Sequence, residues 1–217
     1  TPPVVVIPGG VDLRHFRPAE DRMAVRRALG LPADRLLVLT VRDLHPRMGL
    51  EALIEAVGAL REALPLMLVV GGQGPLRAAL EAQVGRMGLA GHVRFAGHIA
   101  EADLPGYYQA ADCFVLPTRA LEGFGLVTVE ALACGTPVLG TPVGATPEIL
   151  APLAPELLTE DASHEALARG LRRVAPLCRD AAFRARCRAH AQSRYDWETV
   201  VDRLEELLVG LSPGAEG

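Results

Sequence analysis

Residues 113–144 read CFVLPTRALEGFGLVTVEALACGTPVLGTPVG, and the rest of the chain can be ordered around them. The apolar run from Cys113 to Leu116 has the composition of a buried strand. A loop follows, and Glu122-Gly123-Phe124-Gly125 leads into an apolar helical run that carries a second carboxylate, Glu130. The two acids straddle the start of a helix with seven residues between them.

A glycine-flanked turn at the carboxyl end of a strand leaves the first N–H groups of the next helix unpaired, where they suit a phosphate or another anion. Gly123 and Gly125 let the backbone approach such a group closely. Glutamates repel phosphate but accept hydrogen bonds from hydroxyl groups, so this pair points to a polyol beside the anion. Glu130 falls in the second helical turn and leans back toward the same crevice that Glu122 borders.

Outward from this stretch the chain alternates between strand and helix. The sequence predicts a helix over 20–31, a strand over 35–41, a loop and helix over 42–63, a strand over 66–70, and a helix over 76–87. A strand over 92–95, a helix over 102–111 and a strand over 137–140 complete the series. Repeated units of this length call for an α/β domain, a Rossmann-like doubly wound parallel sheet with helices on both faces. Ligands of such sheets bind beyond the carboxyl ends of the strands. The opening residues 1–7 read as a short β-branched strand, broken by Pro8-Gly9-Gly10. Toward the end, 156–159 reads as a final strand, followed by helices over 164–174 and 180–193. A closing helix after Trp197 has Val200, Val201, Leu204, Leu207 and Leu208 as its apolar face, and 212–217 reads as a disordered tail.

The formal charge of -4 offers no basic field for nucleic acid or an anionic membrane. There is no apolar run long enough for a membrane span and no signal-peptide pattern at the start, so the expectation is a cytoplasmic protein. The four cysteines form no Cys-x-x-Cys pair and the six histidines no His-Glu-x-x-His, which predicts neither a disulfide nor a metal site. Every basic residue is arginine, since lysine is absent throughout, as is asparagine.

The run EGFGLVTVEALACGTPVLGTPVG resembles the Glu-x7-Glu segment of retaining GT-B glycosyltransferases of family 4, also called group 1, and the likeness extends over nearly the whole chain. The resemblance implies one half of a GT-B fold. Residues 1–211 would be its C-terminal, nucleotide-sugar-binding domain with a crossover helix, and the N-terminal acceptor domain would be absent. Glu122 would contact the transferred sugar, the backbone of Gly123, Phe124, Gly125 and Leu126 would hold sugar and diphosphate, and Glu130 would grip the ribose.

Where the family has Gly-Arg-Leu followed by Lys-Gly, this chain has Val41-Arg42-Asp43-Leu44-His45-Pro46-Arg47-Met48-Gly49. Asp43 and Met48 occupy the usual arginine and lysine positions. Arg42 and Arg47, each one residue earlier, become the diphosphate candidates and join Glu122 as the catalytic set. Gly71-Gly72-Gln73-Gly74-Pro75 fails the G-x-G-x-x-G pattern, but the resemblance puts Gly72 near the donor. His98 and Ile99 match the loop whose backbone meets the nucleotide base.

The implied partners are a nucleotide-diphosphate sugar, which is a substrate rather than a cofactor, and the missing N-terminal domain, through which alone a membrane would be reached. The implied activity is metal-independent hexosyl transfer, with the isolated domain inactive. A nucleotide-sugar epimerase of GT-B architecture and a non-catalytic nucleotide-sugar-binding module remain as alternatives.

Overall fold

The computed structural model describes residues 4–211, with side chains to 210. Five parallel strands form one sheet in the order β3-β2-β1-β4-β5: β1 (Leu36–Val41), β2 (Leu66–Gly71), β3 (Val93–Gly97), β4 (Cys113–Leu116) and β5 (Val138–Gly140). Consecutive residues of β1, from Leu36 to Thr40, are all buried, as are all four of β4, so both faces of the central strands are covered. The unbroken apolar runs in the sequence have this cause.

The helices are α1 (Arg22–Ala28), α2 (Leu50–Leu60), α3 (Arg77–Arg86), α4 (Leu104–Ala110), α5 (Leu126–Ala133), α6 (Thr146–Leu150), α7 (His164–Arg179), α8 (Ala181–Tyr195) and α9 (Trp197–Leu211). Two packed groups form, α2 with α3 and α7, and α5 with α4 and α8. The stripe Leu50, Leu53, Ile54, Val57 and Leu60 on α2 is buried throughout, as its spacing requires. Order reverses between β1, whose chain runs on to β2, and β4 on its other side, and the carboxyl ends at such a reversal are where sheets of this kind bind ligands.

The expected strands at the two ends of the chain do not form. Residues 4–10 carry no regular structure, and Val4, Val5 and Val6 are exposed. β-Branched composition favours a strand only where a sheet edge accepts it, and here a single bridge from Val11 to Asp196 is the extent of the pairing. Residues 155–157 make a 3-10 turn, and Leu158 alone bridges to Gly140. Pro155, which has no N–H for a ladder, begins that turn.

Two helices also differ. The short α6 is not apparent in the sequence, and α7 continues past Val174 through Pro176 to Arg179. Both Pro176 and Arg172, the residue whose carbonyl loses its usual helical N–H partner, are exposed, so the interruption falls on the outer face of the helix. The expected tail at 212–217 and the first three residues lie outside the described residues.

One buried polar cluster pins β1 to the start of β4. Asp112, 6% exposed, accepts the Leu37 N–H at 2.8 Å and pairs with Arg22 at 2.9 Å and Arg26 at 2.5 Å. Burial alone would raise the Asp112 carboxyl, but the Leu37 N–H and the two guanidinium groups outweigh it and hold it below the usual carboxylate range. The stabilisation is therefore complete above the unfolded value of about 4 and is lost as pH falls through the lower folded value. Asp112→Asn should cost about 3–5 kcal/mol at pH 7, since it leaves Arg26 buried without its counter-charge. Urea denaturation across pH should show the gap between wild type and variant closing below about pH 4.

Candidate functional site

Three chain segments meet beyond the carboxyl ends of β1 and β4: the loop after β1, the loop from Pro117 to Gly125 after β4, and the first turn of α5. Gly125 caps α5 with φ 78°, a left-handed conformation that glycine adopts without strain. Thr128 N–H turns back to the Gly125 carbonyl at 2.8 Å. Among the described residues no acceptor meets the N–H groups of Phe124, Gly125, Leu126 and Val127. The helix thus presents an open, positively polarised mouth. The loop is held from behind by Gly144, where any Cβ would collide with the Glu122 carbonyl.

Glu122 enters the site as half of an ion pair. Its Oε2 accepts from Arg42 Nη2 at 2.6 Å and from Thr118 Oγ1 at 2.7 Å, with the Arg42 and Glu122 side chains 7% and 9% exposed. The same Arg42 nitrogen lies 3.0 Å from Met48 Sδ. Sequence reasoning put Arg42 on a diphosphate, whereas here its guanidinium lies against the very acid expected to meet the sugar. Arg47 differs in kind: its Nη1 donates to a neutral acceptor, the Leu121 carbonyl, at 2.8 Å. Leu121, at φ 58°, is the one non-glycine with positive φ among the described residues, a strained conformation of the sort that gathers at functional loops. Asp43 is exposed on the same stretch.

Glu130 stands on α5 one turn beyond Leu126, on the same face. Its Oε2 accepts from the fully buried Tyr108 hydroxyl at 2.8 Å. Burial pushes the Glu130 carboxyl above its ordinary value; Tyr108 opposes this, Glu101 adds to it and His15 opposes it. The Tyr108 phenol is pushed well up, first by burial and then by the Glu130 charge, with Arg42 acting the other way. The two acid pairs are thus electrostatic neighbours. Tyr108 is itself set edge-on between Phe16 and Phe114, with ring centroids 6.0 and 5.5 Å away. A cavity of about 670 Å³ opens over Glu130, walled by Gly10, His15, Glu101, Leu126 and Trp197.

The remaining expected residues divide by what their backbone is free to do. Gly123 is exposed, and its carbonyl accepts the Ala145 N–H at 3.2 Å. The Phe124 ring is anchored edge-on to Tyr195 at 5.7 Å, and Gly9 lies against it. Leu126 has a half-exposed side chain. The N–H of Gly72 donates to the Gly97 carbonyl at 2.6 Å, so that donor is taken up within the fold. His98 is exposed, and Ile99 packs its side chain on Gly71. Tyr108, Thr118 and His15 escaped sequence reasoning. They lie 22, 4 and 115 residues from the acids they approach, and no local pattern marks them. Among the described residues no cluster of three His, Cys, Asp or Glu side chains has the arrangement to hold a metal ion.

Residues 21–194 match the family described as glycosyl transferases group 1. The chain belongs to the group 1 glycosyltransferases. It is 34% identical over 206 residues to a D-inositol 3-phosphate glycosyltransferase of Streptomyces avermitilis, covering 90% of this chain and 44% of that protein. Among solved structures it is similar to Anabaena Alr3699/HepE in complex with UDP, at 26% identity and a TM-score of 0.81, covering 93% of this chain and 56% of that one. It is also similar to the C-terminal domain of the group 1 family protein LpcC of Francisella tularensis, at 27% identity and a TM-score of 0.75, covering 87% of this chain and all of that domain. The chain spans about half the length of the curated relatives it matches. Its parallel Rossmann-like sheet is that of its GT-B neighbours. No described helix of this group 1 domain is long and apolar enough to cross a membrane.

In this glycosyltransferase domain the Tyr108 hydroxyl is the recorded donor to a largely buried carboxylate. Tyr108→Phe should destabilise by about 1–3 kcal/mol at pH 7, the usual consequence of removing a buried acceptor's partner. Without that hydrogen bond the Glu130 carboxyl rises further, so urea denaturation should show the loss shrinking toward pH 4, where the acid is protonated.

Proposed function

We propose that this chain is the donor-binding half of a retaining glycosyltransferase that uses a nucleotide-diphosphate sugar. The observation that carries this reading is the helix mouth from Phe124 to Val127, with four N–H groups open and a carboxylate on either side of it. Nucleotide sugars have the matching pattern, an anionic diphosphate between two polyols. The complexes of HepE with UDP and with UDP-glucose support the same substrate class.

In the proposed mechanism the bond between the anomeric carbon and the diphosphate lengthens, and negative charge grows on the leaving phosphate. The open amides of α5 and the Arg47 guanidinium meet that charge, a preorganised electrostatic role. Arg47 is suited to it because its present partner is a carbonyl, which a phosphate oxygen displaces at little cost. Glu122 and the neighbouring amides orient the sugar hydroxyls. Glu130, fixed by Tyr108, accepts from the ribose hydroxyls. Charge neutralisation by arginine and amides makes a metal ion unnecessary for this step. On this reading the acceptor is bound by another domain across the cleft, so the domain alone binds donor without transferring it. Four buried free cysteines fit a reducing compartment, the cytoplasm, where such donors are used.

Calorimetric titration with UDP, GDP and ADP tests this directly. At least one should bind, and that result identifies the base. Arg47→Ala should weaken the preferred nucleotide roughly 10- to 100-fold, the size of a lost charge-assisted bond. Glu130→Ala, with the fold intact by circular dichroism, should weaken it at least about tenfold. An unchanged affinity in that variant removes Glu130 from the ribose role, and no binding of any of the three by wild type removes the donor reading.

A further inference from the structure

Two arginines are candidates for the proposed diphosphate position, and their partners differ. Arg47 donates to a neutral carbonyl. Arg42 lies against a carboxylate at 2.6 Å, and both partners are more than nine-tenths shielded from water. A phosphate oxygen approaching Arg42 would have to displace Glu122 and would bring a second negative charge beside it. In so enclosed a place that repulsion is weakly screened.

The geometry around Glu122 points to a different use. Oε2 receives both the Arg42 guanidinium and the hydroxyl of the fully buried Thr118. Oε1 has no recorded donor among the described residues, and it lies 3.7 Å from where a Cβ on Gly125 would stand. It therefore lies close to the glycine that opens α5. Arg42 is itself held from both sides: its N–H donates to the Gly71 carbonyl at 3.0 Å, and Gly72 lies so close over its own carbonyl that no side chain would fit there. An unpaired carboxylate so deeply buried would be unfavourable, and two donors on one oxygen fix its rotamer.

We infer that Arg42 is a positioning residue, holding Glu122 by Oε2 so that Oε1 faces the sugar of the donor, and that it does not bind the diphosphate. The inference rests on the donor-binding reading given above and divides its parts: the sugar is read through Arg42, Thr118 and Glu122, and the diphosphate through Arg47 and the amides. Arg42 then affects the affinity for a nucleotide sugar and leaves that for the bare nucleoside diphosphate alone.

The experiment is calorimetry on the 217-residue chain with two matched pairs, UDP against UDP-glucose and GDP against GDP-mannose. It is run for wild type, Arg42→Gln, Glu122→Gln and the double variant, with thermal melts beside each. Arg42→Gln should weaken the nucleotide sugar at least about tenfold, one charge-assisted contact, and change the nucleoside diphosphate less than about twofold. The double variant should bind the sugar nucleotide no worse than Glu122→Gln alone, as expected for residues that act as a unit. Equal weakening of both ligands makes Arg42 a diphosphate ligand and overturns the inference, as does no change in either. Should Arg42→Gln fail to fold, Thr118→Val removes the other donor to the same oxygen and must show the same sugar-selective loss. Failure of wild type to bind any of the four ligands would instead end the donor reading, and this inference with it.

Discussion

The inner strands of a parallel sheet covered on both faces have open backbone only at their ends, and this constraint organises the molecule. Residues 36–40 of β1 and 113–116 of β4 are buried on every side, so nothing polar can be displayed along them. Chemistry is confined to the edge where the strands finish, and within that edge to the place between β1 and β4 where the order reverses. Arg42 leaves β1 there and Glu122 follows β4. Their ion pair joins the two loops close to the glycine that opens α5.

Arginine serves two unlike purposes in this lysine-free chain. Several arginines are structural clasps. Arg26 pairs with Asp112 and donates to the Ala110 carbonyl, and Arg188 gathers the carbonyls of Leu13, Phe16 and Ala133. Arg184 reaches Ala111, Asp112 and Thr136, and burial, followed by the nearness of Arg22, lowers it to about 10. A planar group with five donors suits the collection of carbonyls from several segments at once. Arg42 shares this buried character, whereas Arg47 keeps a half-open side chain and a neutral partner. Residue type does not separate the two uses; the partner does.

The same distinction governs the acids. Glu122 and Glu130 have seven residues between them in the chain and flank one helix start, but each is set by a donor from elsewhere. Glu122 is held by β1's loop and by Thr118, and Glu130 by Tyr108 at the heart of an aromatic stack. The resulting environments are unlike. Glu122 is an ion-paired acid with one oxygen unclaimed, and Glu130 is a carboxyl raised by burial beside an open cavity.

By itself the sequence determined the parallel α/β sheet, the position of its strands and principal helices, and the glycine-flanked helix start with its two acids. These follow from local periodicity and turn chemistry, which a chain carries wherever it is read. Only the tertiary structure decided that the β-branched opening stays unpaired, that 155–157 curls into a turn, and that Arg42 meets Glu122 across 80 residues of chain. Strand formation at a sheet edge and the choice of a buried ion's partner depend on which surfaces meet in space, and no spacing along the chain encodes that.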